Sequence, residues 1–196
     1  MKEKIKEKVT EAKRQLIVEE VAKLFEEEGF DRLKMADIAK RLGMSVGALY
    51  NLFDSKDTLY YAYITYQIEG FYQKLLHLCE GENDPERCLQ RYVEQKFSVF
   101  SAKRKAIEDP VVGDPLFFLK MNTQKSDPAQ PIFDFLASLF SAVEKRIPLK
   151  EKDPLKTAYL FNAYTTGYIE YWIHYETALD DEPEKVVAIF LHGMAE

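Results

Sequence analysis

The sequence is poor in the residues that staple or coordinate. In 196 residues it has two cysteines, three histidines and one tryptophan. His77, His174 and His192 lie far apart, and Cys79 and Cys88 stand nine apart, which is no zinc spacing. Glu80, Glu82 and Asp84 lack the glycine and distal glutamate of a calcium loop, and no glycine-rich phosphate loop occurs. Neither a metal nor another cofactor is expected, and no constellation of nucleophile and base argues for an enzyme. Long apolar runs are missing too: none approaches the ~20 residues that cross a bilayer. Met1 to Thr10 alternates lysine with glutamate and lacks the apolar core of a signal peptide. The expectation is a cytoplasmic protein without a membrane partner, its two thiols reduced. A redox-sensitive Cys79–Cys88 pair stays open as the alternative. Glycine and proline number eight each and fall mostly between periodic segments. No stretch sustains strand alternation bounded by hairpin turns.

What is present is the balance of a soluble globular chain, 46% hydrophobic and 31% charged. The length suffices to bury a core without disulfides. The net charge of −6 excludes a protein that coats nucleic acid nonspecifically, but it is unevenly spread. Residues 1–56 carry 12 basic against 11 acidic residues, a balance of +1; the other 140 carry 15 against 22, a balance of −7. Phosphate would repel such an acidic body and favour one docking orientation of the head.

Helical periodicity dominates. Ile5, Val9, Ala12 and Leu16, then Ile17, Val21, Leu24 and Phe25, recur at helical steps and predict a first helix from near Lys4 to Glu28. Gly29 supplies the stop. Three glutamates at that end oppose the helix dipole, so tertiary contacts must hold it. Short helices follow at 35–42 and 46–52, then longer ones at about 56–79, 86–105, 114–124, 129–147, 153–178 and 183–195. An acid followed by proline opens most of the later ones, at Asp84-Pro85, Asp114-Pro115, Asp127-Pro128, Asp153-Pro154 and Glu182-Pro183. The reading is all-α with about nine helices, divided into a head over 1–55 and a body over 56–196.

Two short helices joined by Gly43-Met44-Ser45 describe a helix-turn-helix. Ile38, Ala39 and Leu42 face inward from the first, and Leu49 with Phe53 from the second. Gly43 tolerates the positive backbone angle of the reversal. Ser45 can cap the second helix, whose leading turn then projects outward with free amides for phosphate and side chains for base edges.

At these residues the chain resembles the TetR family of transcriptional regulators. Arg14 to Phe30, with its Leu-Phe and Gly-Phe pairs, looks like the family's first helix. Asp37 to Leu59 is similar to its signature in Ile-Ala, Gly, Ser-x-Gly-x-Leu-Tyr, Phe, Ser-Lys and the final Leu. The resemblance covers roughly residues 12–60. It implies a homodimeric, ligand-responsive repressor on a palindromic double-stranded DNA operator. Carried over residue by residue, it implies that Ser45 and Gly47 open the recognition helix, that Tyr50 touches the DNA backbone and that Lys56 meets a phosphate. Val46, Ala48 and Asn51 take the sequence-reading positions, Asn51 suiting adenine and the other two a thymine methyl. Two positions depart from the family. Leu33 and Lys34 stand where a Thr or Ser cap is usual, with Lys34 able to reach phosphate instead, and Leu52 replaces a common His or Tyr. Lysines 2, 4, 6 and 8 either form an arm along the duplex or lie on a solvated helix end.

The body holds 22 of the 26 aromatics. Any one of them is core by default, but a buried phenol needs a hydrogen-bond partner, and so many tyrosines suggest a cavity with polar points. Tyr159, Asn162 and Thr166 share one helix face and either orient an unknown small-molecule effector or bond one another in a dry core. The candidate effector set is Tyr63, Tyr92, Phe97, Phe117, Tyr159, Asn162 and Thr166. Trp172 suits ligand stacking or interface packing equally. Ala163 and Gly167, with Tyr164, Tyr168, Tyr171, Val186, Val187, Ile189 and Phe190, suggest a four-helix interface between two copies. The rival reading is a helical ligand-binding or adaptor protein that has lost specific DNA binding.

Overall fold

The computed structural model describes residues 1–30, 32–102 and 127–194. Among them the chain is all-α, with eight helices. They are α1 (Lys2–Glu28), α2 (Met35–Arg41), α3 (Val46–Tyr50), α4 (Lys56–Leu78), α5 (Pro85–Ala102), α6 (Gln130–Glu144), α7 (Pro154–Tyr175) and α8 (Pro183–Met194). The helix expected over 114–124 lies outside the described residues, as does Phe117 of the candidate effector set. The chain divides into two compact units, and within the described residues the division falls inside α4, after Ile68.

The first unit is built on one apolar cluster. Val18, Val21, Ala22 and Phe25 of α1 meet Phe30, Leu33, Met35, Ile38, Ala39, Leu49, Phe53, Leu59, Tyr60 and Tyr63. Ile38, Ala39, Leu49 and Leu59 are wholly buried, so truncating one of the larger of them would cost about 2–5 kcal/mol. Only the second half of α1 contributes: Ile5, Val9 and Leu16, on the same helix, are 55%, 49% and 63% exposed. The acidic end of α1 is held from outside the helix. Glu28 pairs with Arg41, and Glu26 accepts from Gln67 at 3.1 Å. Gly29 ends the helix at φ 81°, ψ 154°, a region essentially confined to glycine rather than the left-handed helical stop its position suggests.

In the second unit α6 packs most extensively on α7, while α5 lies against α8 and α6. The acid–proline pairs act differently: Asp153 is the N-cap of α7, whereas Asp127 bonds in the turn ahead of α6, whose own cap position is Ala129 without a side-chain bond. Asp153 accepts from the amides of Leu155 (2.9 Å) and Lys156 (3.2 Å) ahead of α7, and Asp127 accepts from Ala129 at 2.8 Å. Asp84 accepts from Glu86 and also holds Arg146 at 3.0 Å. Phe140, Phe161 and Phe190 form an aromatic centre with centroids 5.0–5.9 Å apart, Phe161 edge-on to the other two.

Candidate functional site

The turn between α2 and α3 is closed by its own backbone. Gly43, at φ 65°, donates to Lys40 O, and Met44 donates to Ala39 O at 3.0 Å. Ser45 is extended and its Oγ accepts from Ala48 N at 3.1 Å, capping α3. With Leu49 driven into the core, the remaining face of this helix must point away from it. Val46, Gly47, Tyr50 and Asn51 are exposed and Ala48 is half-buried. An open groove of about 490 Å³ runs beside this face, lined by Ala48, Asn51 and Leu52 on one side and Thr10, Lys13 and Leu16 of α1 on another.

The flanking positions take different environments. Lys34 is exposed and stands at the start of α2 without a side-chain cap, while Leu33 is buried in the core. At the start of α4, the Ser55 hydroxyl accepts from the amide of Thr58, at 3.0 Å. Lys56 lies half-buried with its ammonium 4.0 Å from the Phe30 ring centroid, and Arg14 sits 5.8 Å from that of Phe53.

In the body, the candidate effector residues separate into several places. Tyr63 belongs to the core of the first unit, 5.2 Å from Phe25 and 5.7 Å from Tyr60. Tyr159 is 43% exposed and stacks flat on Phe133 at 3.9 Å. Phe97 is buried near Tyr168. Tyr92, Asn162 and Thr166, by contrast, converge on a residue that sequence reasoning passed over, Lys96. Its Nζ donates to Asn162 Oδ1 (2.8 Å), Asn162 O (3.0 Å), Thr165 Oγ1 (2.9 Å) and Thr166 Oγ1 (2.8 Å). Tyr92 donates its hydroxyl to Asn162 Oδ1 at 2.8 Å. Lys96 is only 6% exposed. Burial pulls its ammonium down to about 7, opposed in part by the Glu170 carboxylate. Burial pushes the Tyr92 phenol upward, keeping its proton. The signal for Lys96 lay in the periodicity: Leu89, Tyr92, Val93 and Lys96 step three and four apart, putting the lysine on the apolar face of α5.

The proposed interface residues separate in the same way. Val186, Val187 and Phe190 are buried within their own chain, whereas Tyr171 and Ile189 are 59% and 49% exposed. Ala163 and Gly167 are exposed beside Leu160 on α7. Tyr164 and Tyr168 share a hydroxyl–hydroxyl bond of 2.8 Å. Trp172 is buried. Cys79 and Cys88 are both free thiols. They are hydrogen-bonded neighbours, and burial first, then Cys88, push the Cys79 thiol up to about 12.

Residues 17–63, which contain the whole helix-turn-helix, match the family model described as bacterial regulatory proteins, tetR family. Over these residues the head is similar to the DNA-binding domain of that family. No curated protein matches the chain. Solved structures match it over nearly its full length. A fatty acid degradation regulator, FadR, from Bacillus halodurans is 17% identical over 91% of this chain and 97% of its own, at TM-score 0.66. A TetR-family regulator from Pectobacterium atrosepticum is 15% identical over 94% and 91%, at 0.67. A transcriptional regulator from Saccharomonospora viridis, solved with choline, is 16% identical over 95% and 99%, at 0.68. At these identities the likeness establishes the fold alone, a helix-turn-helix head followed by a helical body. Among the described residues no helix is long and apolar enough to cross a membrane.

Proposed function

We propose that the protein is a ligand-responsive transcriptional regulator that binds a palindromic operator as a homodimer and represses by occupying it. The observation that carries this reading is the outward face of α3. Ser45 fixes its leading turn, Leu49 anchors it, and Val46, Tyr50 and Asn51 stand exposed together. A short helix held this way fits a major groove, and two copies about one helical turn apart read a palindrome. The exposed stripe of Leu160, Ala163, Gly167 and Tyr171 on α7, with Ile189 on α8, supplies a face for the second copy. A body that senses a small molecule is supported by the Tyr92–Asn162–Thr166 convergence on Lys96. The choline held by the Saccharomonospora viridis neighbour shows that one protein of this fold takes up a small molecule.

Gel shifts on the DNA upstream of the protein's own gene, at several salt concentrations, test the reading. A regulator retards a palindrome there, with affinity falling steeply as salt rises. Size-exclusion chromatography with light scattering should return a dimer. The adaptor reading draws on two cations that are engaged within the chain, Arg41 with Glu28 and Lys56 over Phe30. It predicts neither palindrome preference nor a steep salt slope.

A further inference from the structure

The Lys96 cluster holds an amine in the interior whose ammonium form meets no anion among the described residues, and burial leaves it only partly protonated near neutral pH. Every oxygen that Nζ reaches is neutral: an amide, a backbone carbonyl and two hydroxyls. Among the described residues no carboxylate contacts it, and Glu170 acts on it only through space from the exposed side of α7. A buried charge is ordinarily paired, because neutral dipoles replace lost hydration incompletely.

The hydrogen-bond directions make the deficit specific. The Thr165 hydroxyl gives its proton to Phe161 O or Asn162 O, and Thr166 gives its own to Asn162 O at 2.7 Å. Both are therefore committed as acceptors toward Lys96. Asn162 Oδ1 takes protons from Tyr92 and from Lys96. That fixes the orientation of the amide and leaves Nδ2 as a donor without a protein acceptor among the described residues. Nζ has three protons for four acceptor oxygens, so an incoming anion can replace one of them without orphaning a donor. An ammonium and an amide N–H on the same small cluster form a two-point complement to a carboxylate. The rings of Phe71 and Phe161 pack on Tyr92, with centroids 5.9 and 5.8 Å away.

We infer that the effector is a small organic acid with an apolar body, its carboxylate held by Lys96 Nζ and Asn162 Nδ2. This rests on the reading of the body as a ligand-sensing unit and narrows it to one chemical class. A cationic effector is repelled by the protonated Lys96, and a neutral one gains nothing from its protonation. A phosphate dianion would want more donors than one ammonium and one amide.

The test uses the full chain, with Trp172 as its single fluorophore of that type and thermal shift as a second readout. The probes are straight-chain acids from acetate to palmitate, benzoate and phenylacetate, each beside its primary amide and primary amine, together with inorganic phosphate. At least one acid should bind saturably and at least tenfold tighter than its amide. Lys96→Met should lose tenfold or more in affinity for that acid. Asn162→Asp should lose it as well while remaining folded, because it places a carboxylate beside Lys96 within the chain. Amides that bind as tightly as acids, phosphate that binds tighter than both, an undiminished affinity in Asn162→Asp, or no acid binding at all would each overturn the inference. Gel shifts run in parallel keep the two readings apart. Selective acid binding without DNA retardation removes the regulator and leaves the acid site. DNA retardation without acid selectivity does the reverse.

Discussion

Lys56 stands 4.0 Å from the Phe30 ring centroid, so the cation expected to meet phosphate already has an aromatic partner in the head. The two roles are compatible if the ammonium leans on the ring while another of its protons faces DNA. A half-buried cation–π contact is worth about 0.5–1 kcal/mol. Lys56→Ala should therefore lower the unfolding free energy by about that amount in urea titrations. It should also weaken every DNA sequence alike and reduce the salt slope by about 1. A stability loss with an unchanged slope would mean that the ring alone uses this lysine.

Asn51 follows the last residue of α3, exposed beside the open groove. Its amide can pair with an adenine edge in two places, a contact worth about 1–3 kcal/mol in discrimination. Binding selections with Asn51→Ala should show relaxed preference at one base pair per half-site and nearly unchanged affinity for nonspecific DNA. A uniform loss on all sequences would place Asn51 on the backbone instead.

Lys96 makes stability depend on pH in a defined direction. Its ordinary value is 10.5 and its folded value about 7, so between these the folded state binds fewer protons than the unfolded one. Stability then rises with pH across that window and is flat below it. Tyr92 on α5, and Glu170 on α7, are the titratable groups bearing on the amine, and the phenol keeps its proton throughout. Wild type should gain about 2 kcal/mol on Lys96→Met between pH 7 and pH 9. At pH 7 the methionine variant should be the more stable. Denaturant midpoints of both proteins at the two pH values measure this, and parallel pH curves would show the amine to be charged in both states.

Gly167 is exposed on α7, and a Cβ added there would meet nothing within 4 Å. Gly167→Arg should leave the monomer folded, with up to about 1 kcal/mol gained from helix propensity. Light scattering should nevertheless report a monomer, because the bulky cation would occupy the face assigned to the second copy. A dimer that persists at micromolar concentration would move the interface elsewhere.

The parts of the fold legible in the sequence were those set by local chemistry. Asp153-Pro154 announces a helix start because the carboxylate and the imino ring satisfy one end of a helix by themselves. The Gly43–Ser45 turn was legible for the same reason, since one positive φ and one cap define it. Long-range pairings were not. Asn162 and Thr166 could be placed on one face of a helix, but Lys96, 66 residues before Asn162, could be joined to them only by knowing which faces of α5 and α7 meet. The same blindness hid the fate of Tyr63: aromatic periodicity along α4 does not say that Phe25 and Tyr60 already surround its ring. Val186 and Phe190 likewise read as an apolar face free for a partner, whereas their own chain covers them.

The neighbouring thiols of Cys79 and Cys88 bear on what the body can respond to. With burial and then Cys88 pushing the Cys79 thiol up to about 12, the thiolate is disfavoured there at neutral pH. Peroxides and disulfide reagents attack through the thiolate, so Cys79 is slow to react even with a second sulfur beside it. Oxidants that work through a thiolate therefore gain little from Cys79 itself.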